Sequence, residues 1–196
     1  MNVVLVIIVM LFLFISCNNE KEDSIELTPD EAKEYLDLGE AIVKESFDSL
    51  QTNIIRAIKE TGIKGALKYC SLNAHPIIYH LEKKKNVKIR RASQKFRNPA
   101  NQPDSMENSI IDIYADLLSK GEKTEPIIRT VKKEIHYFKP IIVKDLCLNC
   151  HGKVGEEITE ENYKVITELY PLDNATGYKQ GDLRGIWHIV AKYTKK

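Results

Sequence analysis

The sequence predicts an α+β domain, in which helices come first and strands interleaved with helices follow, up to an antiparallel end. Between residues 28 and 84 the apolar side chains recur every three or four positions, which is the spacing of amphipathic helices. After residue 126 two segments have the alternation or the apolar and aromatic content of strands. Helices and strands that are segregated in this way are typical of α+β domains.

Length and composition limit the class of protein. The chain has 196 residues, 43% of them apolar and 29% charged, which suits one domain with a sizeable core. The formal net charge is +1, so the chain lacks the basic surplus that a nucleic-acid partner requires. We therefore expect a globular domain that does not bind nucleic acid.

Two helices are predicted first. Thr28 and Glu31 form a capping-box pattern around Pro29, which favours a helix start, and Gly62 is a plausible end of that first helix. A second helix is predicted over residues 64–84, with Cys70 on its apolar stripe. Pro76 should kink or split this second helix.

The later elements are shorter. A strand is predicted over residues 87–92, and a turn-rich segment over residues 93–104 follows it. The remaining predictions, in chain order, are a helix from Pro103 to Gly121, two strand segments within residues 130–143 with Pro140 at an edge or bend, a helix over residues 159–169, a loop over residues 170–185 and a last strand over residues 185–193.

The motif that carries chemistry is Cys147-x-x-Cys150-His151, the attachment signal of c-type haem. Two thiols at this spacing can each form a thioether with one porphyrin vinyl group, and the adjacent imidazole can bind the iron. A redox dithiol or half of a zinc site are the alternatives. The residues after His151 read as a loop and no second cysteine pair lies at zinc-ligand spacing, so haem c is favoured.

The N-terminus predicts export. Residues 3–15 are continuously apolar but too short for a membrane span, and they end at Cys17 in a sequence similar to a bacterial lipobox. We expect a lipoprotein signal peptide over residues 1–16, a polar tether over residues 17–27 and the domain over residues 28–196. An uncleaved anchor is the alternative. Either reading places the domain at a bacterial envelope membrane, facing the periplasm, where haem c is attached.

Two further residues have both an ordinary and a functional interpretation. A lone buried cysteine such as Cys70 is by default a small hydrophobic residue, but haem iron also needs a sixth neighbour or an open position. Arg97, in the turn-rich segment, is either a surface arginine or a partner for a haem propionate. The sequence by itself leaves both questions open.

Four blocks together resemble a bacterial and cyanobacterial c-type haem-binding family known as a domain of unknown function, DUF3365. They are Cys70-Ser71, the turn that begins at Arg97, the haem motif, and the segment of residues 170–185. The resemblance covers about residues 30–195. It implies a PAS-like antiparallel sheet flanked by helices, one covalent haem c per chain, and no established enzymatic activity.

The resemblance also implies roles for single residues. Cys147 and Cys150 would be the thioether residues, His151 the proximal ligand, and Cys70 the distal ligand. Tyr178 and Arg184 resemble loop residues that flank the haem edge. Other side chains of suitable chemistry for the sixth position, of which His80 ranks first, are His75, His80, Met106, His136 and His188.

These expectations define a function. A membrane-tethered haem protein with two protein ligands on its iron suits electron transfer or redox sensing and not catalysis. The alternative is a sensor of a small gas such as NO or CO. The expected partners are the membrane, through the lipid anchor, and a redox or signalling protein, while a homodimer and a monomer are both allowed.

Overall fold

The structure is a computed structural model that describes residues 25–195. The predicted signal peptide, the predicted lipidation site Cys17 and most of the tether lie outside these residues. Within them, no helix is long and apolar enough to cross a membrane.

Helix α1 (Pro29–Lys85) contains both predicted helices. It begins with the predicted capping box, in which Thr28 and Glu31 bond each other's backbone N–H groups. Gly62 has φ 69° and ψ −177°, which is not helical, and here the chain turns. Of the two predicted effects of Pro76, a kink or a split, the split is wrong, because the helix continues past this residue.

The two halves of α1 run antiparallel. The Tyr69 hydroxyl donates a hydrogen bond to Oδ1 of Asn53 at 3.2 Å. Farther from the turn, the Lys84 ammonium lies 2.9 Å from the Glu45 carboxylate. Between these two contacts the residue of the second half advances from 69 to 84, while its partner in the first half goes back from 53 to 45. Helix α1 is therefore a helical hairpin that reverses near Gly62.

The remaining elements follow the predicted order, with the unpredicted helix α3 between β3 and α4. They are β1 (Lys88–Ala92), a 3₁₀ turn (Pro99–Asn101), α2 (Ser105–Ser119), β2 (Ile127–Val131), β3 (Glu134–Ile142), α3 (Asp145–His151), α4 (Glu160–Leu169) and β4 (Leu183–Lys192).

Two details differ from the sequence prediction. Helix α2 begins at Ser105 and not at Pro103, because the Asp104 carboxylate caps it and forms a capping box with Glu107. The haem motif, for which no secondary structure was predicted, forms the seven-residue helix α3. A segment this short contains too few apolar residues to show a period.

The four strands form one antiparallel sheet in the order β1-β4-β3-β2. This architecture of helices and an open antiparallel sheet confirms the α+β prediction. Pro140 lies on the inner strand β3, but beyond the end of its pairing with β2, and it faces only Ile186 of β4. Its missing N–H is therefore tolerated where one neighbour has ended.

Both faces of the sheet are covered. The α1 hairpin packs on one face, where Ile42 and Ile78 from its two halves share a core with Trp187. Helix α2 packs on the other face, where Tyr114 and Phe138 are fully buried. Strands buried on both sides explain why clear period-two alternation is weak in β4.

Candidate haem site

Helix α3 carries the motif between two apolar clusters. Cys147 and Cys150 are separated by three positions and so lie on neighbouring parts of one helical face. Cys147 packs against a cluster that contains Ala175 and Tyr178. Cys150 packs against a cluster of α1 and α4 that contains Leu67 and Ile166. The two thiols thus line the junction of α3 with α1, α4 and the loop before β4.

His151 is held by one ring nitrogen. Its Nδ1 lies 2.7 Å from the carbonyl oxygen of Ala175, and because a carbonyl only accepts, Nδ1 carries the hydrogen. The Nε2 atom therefore bears the lone pair. Burial lowers the pKa of His151 well below its usual value, and the positive charges of Arg184 and Arg97 lower it further. A neutral imidazole with a free Nε2 is the form that binds a metal.

The loop before β4 closes over the motif through its backbone. The N–H of Tyr178 donates to the carbonyl of His151 at 2.9 Å, and the N–H of Gly177 donates to the carbonyl of Gly152 at 2.7 Å. The Tyr178 and His151 rings meet edge to face with 6.3 Å between centroids. The Arg184 guanidinium carbon lies 5.3 Å from the centroid of the Tyr178 ring. Tyr178 and Arg184 are thus beside the motif.

Arg97 fastens this loop to α3. Its Nε lies 2.9 Å from Oδ1 of Asp173, and both side chains are nearly buried, with 11% and 3% exposed. Its Nη2 also donates to the carbonyl of Cys150 at 2.6 Å. Asp173 in turn accepts the N–H of Ala175 at 3.1 Å, the residue whose carbonyl holds His151. One ion pair therefore positions both the thiol helix and the partner of the imidazole.

Cys70 belongs to the same neighbourhood. It is partly buried on the second half of α1. Burial raises the pKa of its thiol, an effect that the nearby charges of Arg91 and Arg97 oppose. The thiol is also close enough to Cys150 to raise the pKa of that group. The structure therefore brings Cys70 together with the motif.

The other sixth-ligand candidates lie elsewhere. His75 and His80 are solvent-exposed on α1. Met106 packs on the α2 side of the sheet. His136 and His188 bond each other on that same side. All five side chains are therefore separated from the buried junction that holds Cys70.

Sequence reasoning missed three residues of this neighbourhood: Arg91, Tyr170 and Asp173. Arg91 lies on β1, where its guanidinium carbon is 5.7 Å from the centroid of the Trp187 ring. Burial lowers the pKa of Arg91, as does the charge of Arg184. An arginine in the middle of an otherwise alternating strand was the available signal for Arg91, whereas nothing local marks the loop residue Asp173.

Comparison with known proteins places the fold. No curated protein matches the sequence. The model of the family described as Tll0287-like matches residues 22–191. The chain belongs to the Tll0287-like family. A crystal structure described as that of the cyanobacterial heme-protein Tll0287 is 20% identical, with a TM-score of 0.57. The match covers 87% of this chain and 99% of the other.

In this member of the Tll0287-like family, the site carries an excess of positive charge. Arg91, Arg97 and Arg184 perturb the same imidazole of His151. Asp173 offsets one of the three charges through its ion pair with Arg97. The buried Nε of Arg184 has no hydrogen-bond partner among the described residues. The Lys95 ammonium, 4.4 Å from the centroid of the Tyr178 ring, adds a further positive charge, so this group suits an anionic ligand.

The donor set differs from a zinc site. Among residues 25–195 no group of three or more histidine, cysteine, aspartate or glutamate side chains is arranged to hold a metal ion. The thiols and the imidazole instead line one side of a buried junction, each from its own position on α3. This arrangement fits attachment of a large planar group better than tetrahedral enclosure of an ion.

Proposed function

We propose that the chain carries one covalent haem c, bound through Cys147 and Cys150, with His151 as the proximal ligand. This proposal rests on the hydrogen bond that Nδ1 of His151 donates to the carbonyl of Ala175. That bond leaves Nε2 of the same ring available to bind a metal. The haem would supply a one-electron Fe(III)/Fe(II) couple. The protein would hold the imidazole neutral and in one orientation, which tunes that couple.

The charge of the site supports this proposal. The two propionates of a haem carry two negative charges, which the positive charges of Arg91, Arg184 and Lys95 would attract. Arg184, whose buried Nε has no hydrogen-bond partner among residues 25–195, would be a donor to a propionate. Arg97 is already engaged by Asp173 and would contribute mainly by holding the loop.

We further propose Cys70 as the distal ligand. A thiolate opposite an imidazole stabilises ferric iron and leaves no open position, which suits electron transfer or redox sensing better than catalysis. The position of Cys70 supports this assignment, because Leu67, one helical turn earlier on α1, packs in the same cluster as Cys150. The sheet would correspond to the PAS-like core of the DUF3365-type domain that the sequence resembles.

A gas sensor is the second candidate function. Burial raises the pKa of Cys70, which favours the protonated thiol and hence its release from a metal. Release would free one position for NO or CO. In this reading Cys70 is a gate, and reduction is the signal that opens it.

The cellular setting is part of the proposal. Lipidation at Cys17 would tether the domain to the envelope membrane, on its periplasmic side, where a redox or signalling protein exchanges electrons with it. Substitution Cys17→Ser should release the protein from membranes while leaving its haem in place. Continued membrane association would favour an uncleaved anchor.

The attachment test replaces both motif thiols. The double variant Cys147→Ala/Cys150→Ala, expressed in the periplasm with haem-c maturation machinery, should give a colourless protein without covalently bound haem in its mass spectrum. The matched thiol control Cys70→Ala should keep the haem covalently but change the ferric absorption spectrum. A red double variant would contradict the attachment, and an unchanged spectrum of Cys70→Ala would contradict the ligand assignment.

A further inference from the structure

A buried chain of charged and polar groups lies on the α2 side of the sheet. The Glu107 carboxylate has no exposed surface and accepts hydrogen bonds from Nε and Nη2 of Arg90 at 2.9 and 3.1 Å. Its Oε1 also lies 2.8 Å from Nδ1 of His188. The Nε2 of His188 lies 2.9 Å from Nδ1 of His136. The proposed haem site uses none of these residues.

The hydrogen bonds between these three side chains are all donated in the same direction, toward Glu107. Burial of the Glu107 carboxyl opposes its ionisation, but hydrogen bonds from His188, Arg90 and the Asp104 N–H outweigh burial and lower its pKa to about 2. An ionised carboxylate only accepts, so His188 donates from Nδ1 and accepts at Nε2. His136 must then donate from Nδ1. Its Nε2, which has no partner among the described residues and is buried, is a vacant acceptor at the end of the chain.

Each element that packs against His136 presents a charged or titratable group to it. Burial lowers the pKa of His136, as does the neighbouring His188. The carboxylate of Glu134 lies 3.9 Å from the vacant Nε2 and is 42% exposed, so it offers protons a way in from solvent. The charged or titratable groups that face the chain are Lys88 and Arg90 of β1, Asp104 and Glu107 at the start of α2, Arg129 of β2, Glu134 of β3 and His188 of β4.

The strand register places this chain on the sheet face opposite the one that carries Arg91. Arg90 is paired with His188, and the next residue, Arg91, is paired with Trp187. Successive side chains in a strand point to opposite faces. Arg90 and His188 therefore join Glu107 on the α2 face, while Arg91 lies against Trp187 on the α1 face and acts on His151 and Cys70. His136 is paired with Val190, three residues beyond Trp187, so the thickness of the sheet and roughly 10 Å along the strands separate His136 from Arg91.

We propose that the Glu107–His188–His136 chain is a proton-binding site coupled to the redox state of the haem site across the sheet. The inference rests on the proposed haem function. When a one-electron donor reduces the iron, the added negative charge favours uptake of one proton from solvent at Nε2 of His136, and oxidation by an electron acceptor releases that proton. The Nδ1–H bonds of both histidines remain in place throughout.

The expected size follows from Coulomb's law. A unit charge roughly 20 Å away, at an effective dielectric constant of about 20, changes a proton-binding constant by about fourfold. Proton binding is tighter in the reduced protein because the added charge is negative. The reduction potential should accordingly fall as pH rises through the titration of His136.

The test uses the full-length haem-loaded protein. The protonation of His136 and His188 is followed by NMR of ¹⁵N-histidine-labelled protein between pH 5 and 8, in the oxidised and the reduced state. The expected result is about fourfold tighter proton binding in the reduced state. Identical titration in both states overturns the proposal.

Matched variants give a second readout, the reduction potential as a function of pH. His136→Asn keeps a donor in place of Nδ1 but removes the proton acceptor, whereas His75→Asn makes the same change at an exposed histidine. Part of the pH dependence should disappear in His136→Asn and persist in His75→Asn, and equal curves overturn the proposal. If His136→Asn does not fold, the wild-type titrations decide.

A protein without haem overturns the haem function and this coupling together, whereas a haem-loaded protein with uncoupled histidines overturns only the coupling.

Discussion

At the scale of single residues, the ring of His151 has one bound nitrogen and one free nitrogen. The bound Nδ1 depends on the carbonyl of Ala175, and Ala175 is positioned by Asp173. Asp173 also holds Arg97, which bonds the backbone of Cys150. A single carboxylate thus orients the groups on two sides of the site without belonging to the haem motif.

The substitution Asp173→Ala should lower the free energy of unfolding by about 3–5 kcal/mol, because it leaves the buried Arg97 unpaired. Chemical denaturation at pH 7 measures this change. The control Asp116→Ala removes an exposed ion pair with Lys120, whose side chains are 58% and 55% exposed, and should cost less than about 1 kcal/mol. Equal losses in both variants would contradict the positioning role of Asp173.

The ionisation of Glu107 makes the free energy of unfolding depend on pH. The pKa of Glu107 is lowered from 4.5 to about 2 in the folded state, so its contribution is present above pH 4.5 and is lost as pH falls toward 2. A shift of this size corresponds to about 3 kcal/mol. The variant Glu107→Gln should be less stable at pH 7 and should lose less stability between pH 5 and pH 2 than the wild type.

Urea denaturation at a series of pH values tests this dependence. The exposed Glu122 provides the matched control, since Glu122→Gln should follow the wild-type curve. If Glu107→Gln loses as much stability in acid as the wild type does, another carboxyl group causes the loss.

At the scale of elements, the hairpin in α1 brings Cys70 to the site. Gly62 has a positive φ of 69° and an extended ψ of −177°, a combination that is essentially restricted to glycine. A Cβ at this position would meet no atom within 4 Å, so the constraint is conformational and not steric. The turn at Gly62 folds the second half of α1 back along the first.

The substitution Gly62→Ala should therefore destabilise the protein by about 1–3 kcal/mol. In a continuous straight helix the same change would stabilise it by about 1 kcal/mol, because alanine is the better helix former. Thermal or chemical denaturation distinguishes the two signs. Lys59→Ala, at an exposed helical position nearby, should change stability by less than about 0.5 kcal/mol.

Most elements were predictable because their signals are local. The capping box at Thr28, the end of the first helical segment at Gly62, the helix within residues 159–169 and the strand within residues 87–92 all lie where the sequence predicted them. Helix α3 was missed because it is too short to show a period. The start of α2 was displaced because the Asp104 side chain provides a better cap than Pro103 does.

At the scale of the whole molecule, the sheet separates two polar centres. The proposed haem site lies between α1, α3, α4 and the loop before β4, and the Glu107–His188–His136 chain lies under α2. The motif residues of the first centre could be predicted from their spacing. Asp173, Arg91 and the histidine chain could not, because only strand register and loop closure bring them to their partners.

The proposed function depends on a closed haem c site with His151 and Cys70 on the iron. The most direct test is the absorption spectrum of the protein expressed with haem-c maturation machinery, recorded oxidised, reduced, and reduced with CO. We predict a covalently retained haem that is low-spin in the ferric state and takes up CO slowly. A high-spin ferric form with immediate CO uptake would contradict the closed site. A protein without haem would contradict haem binding itself.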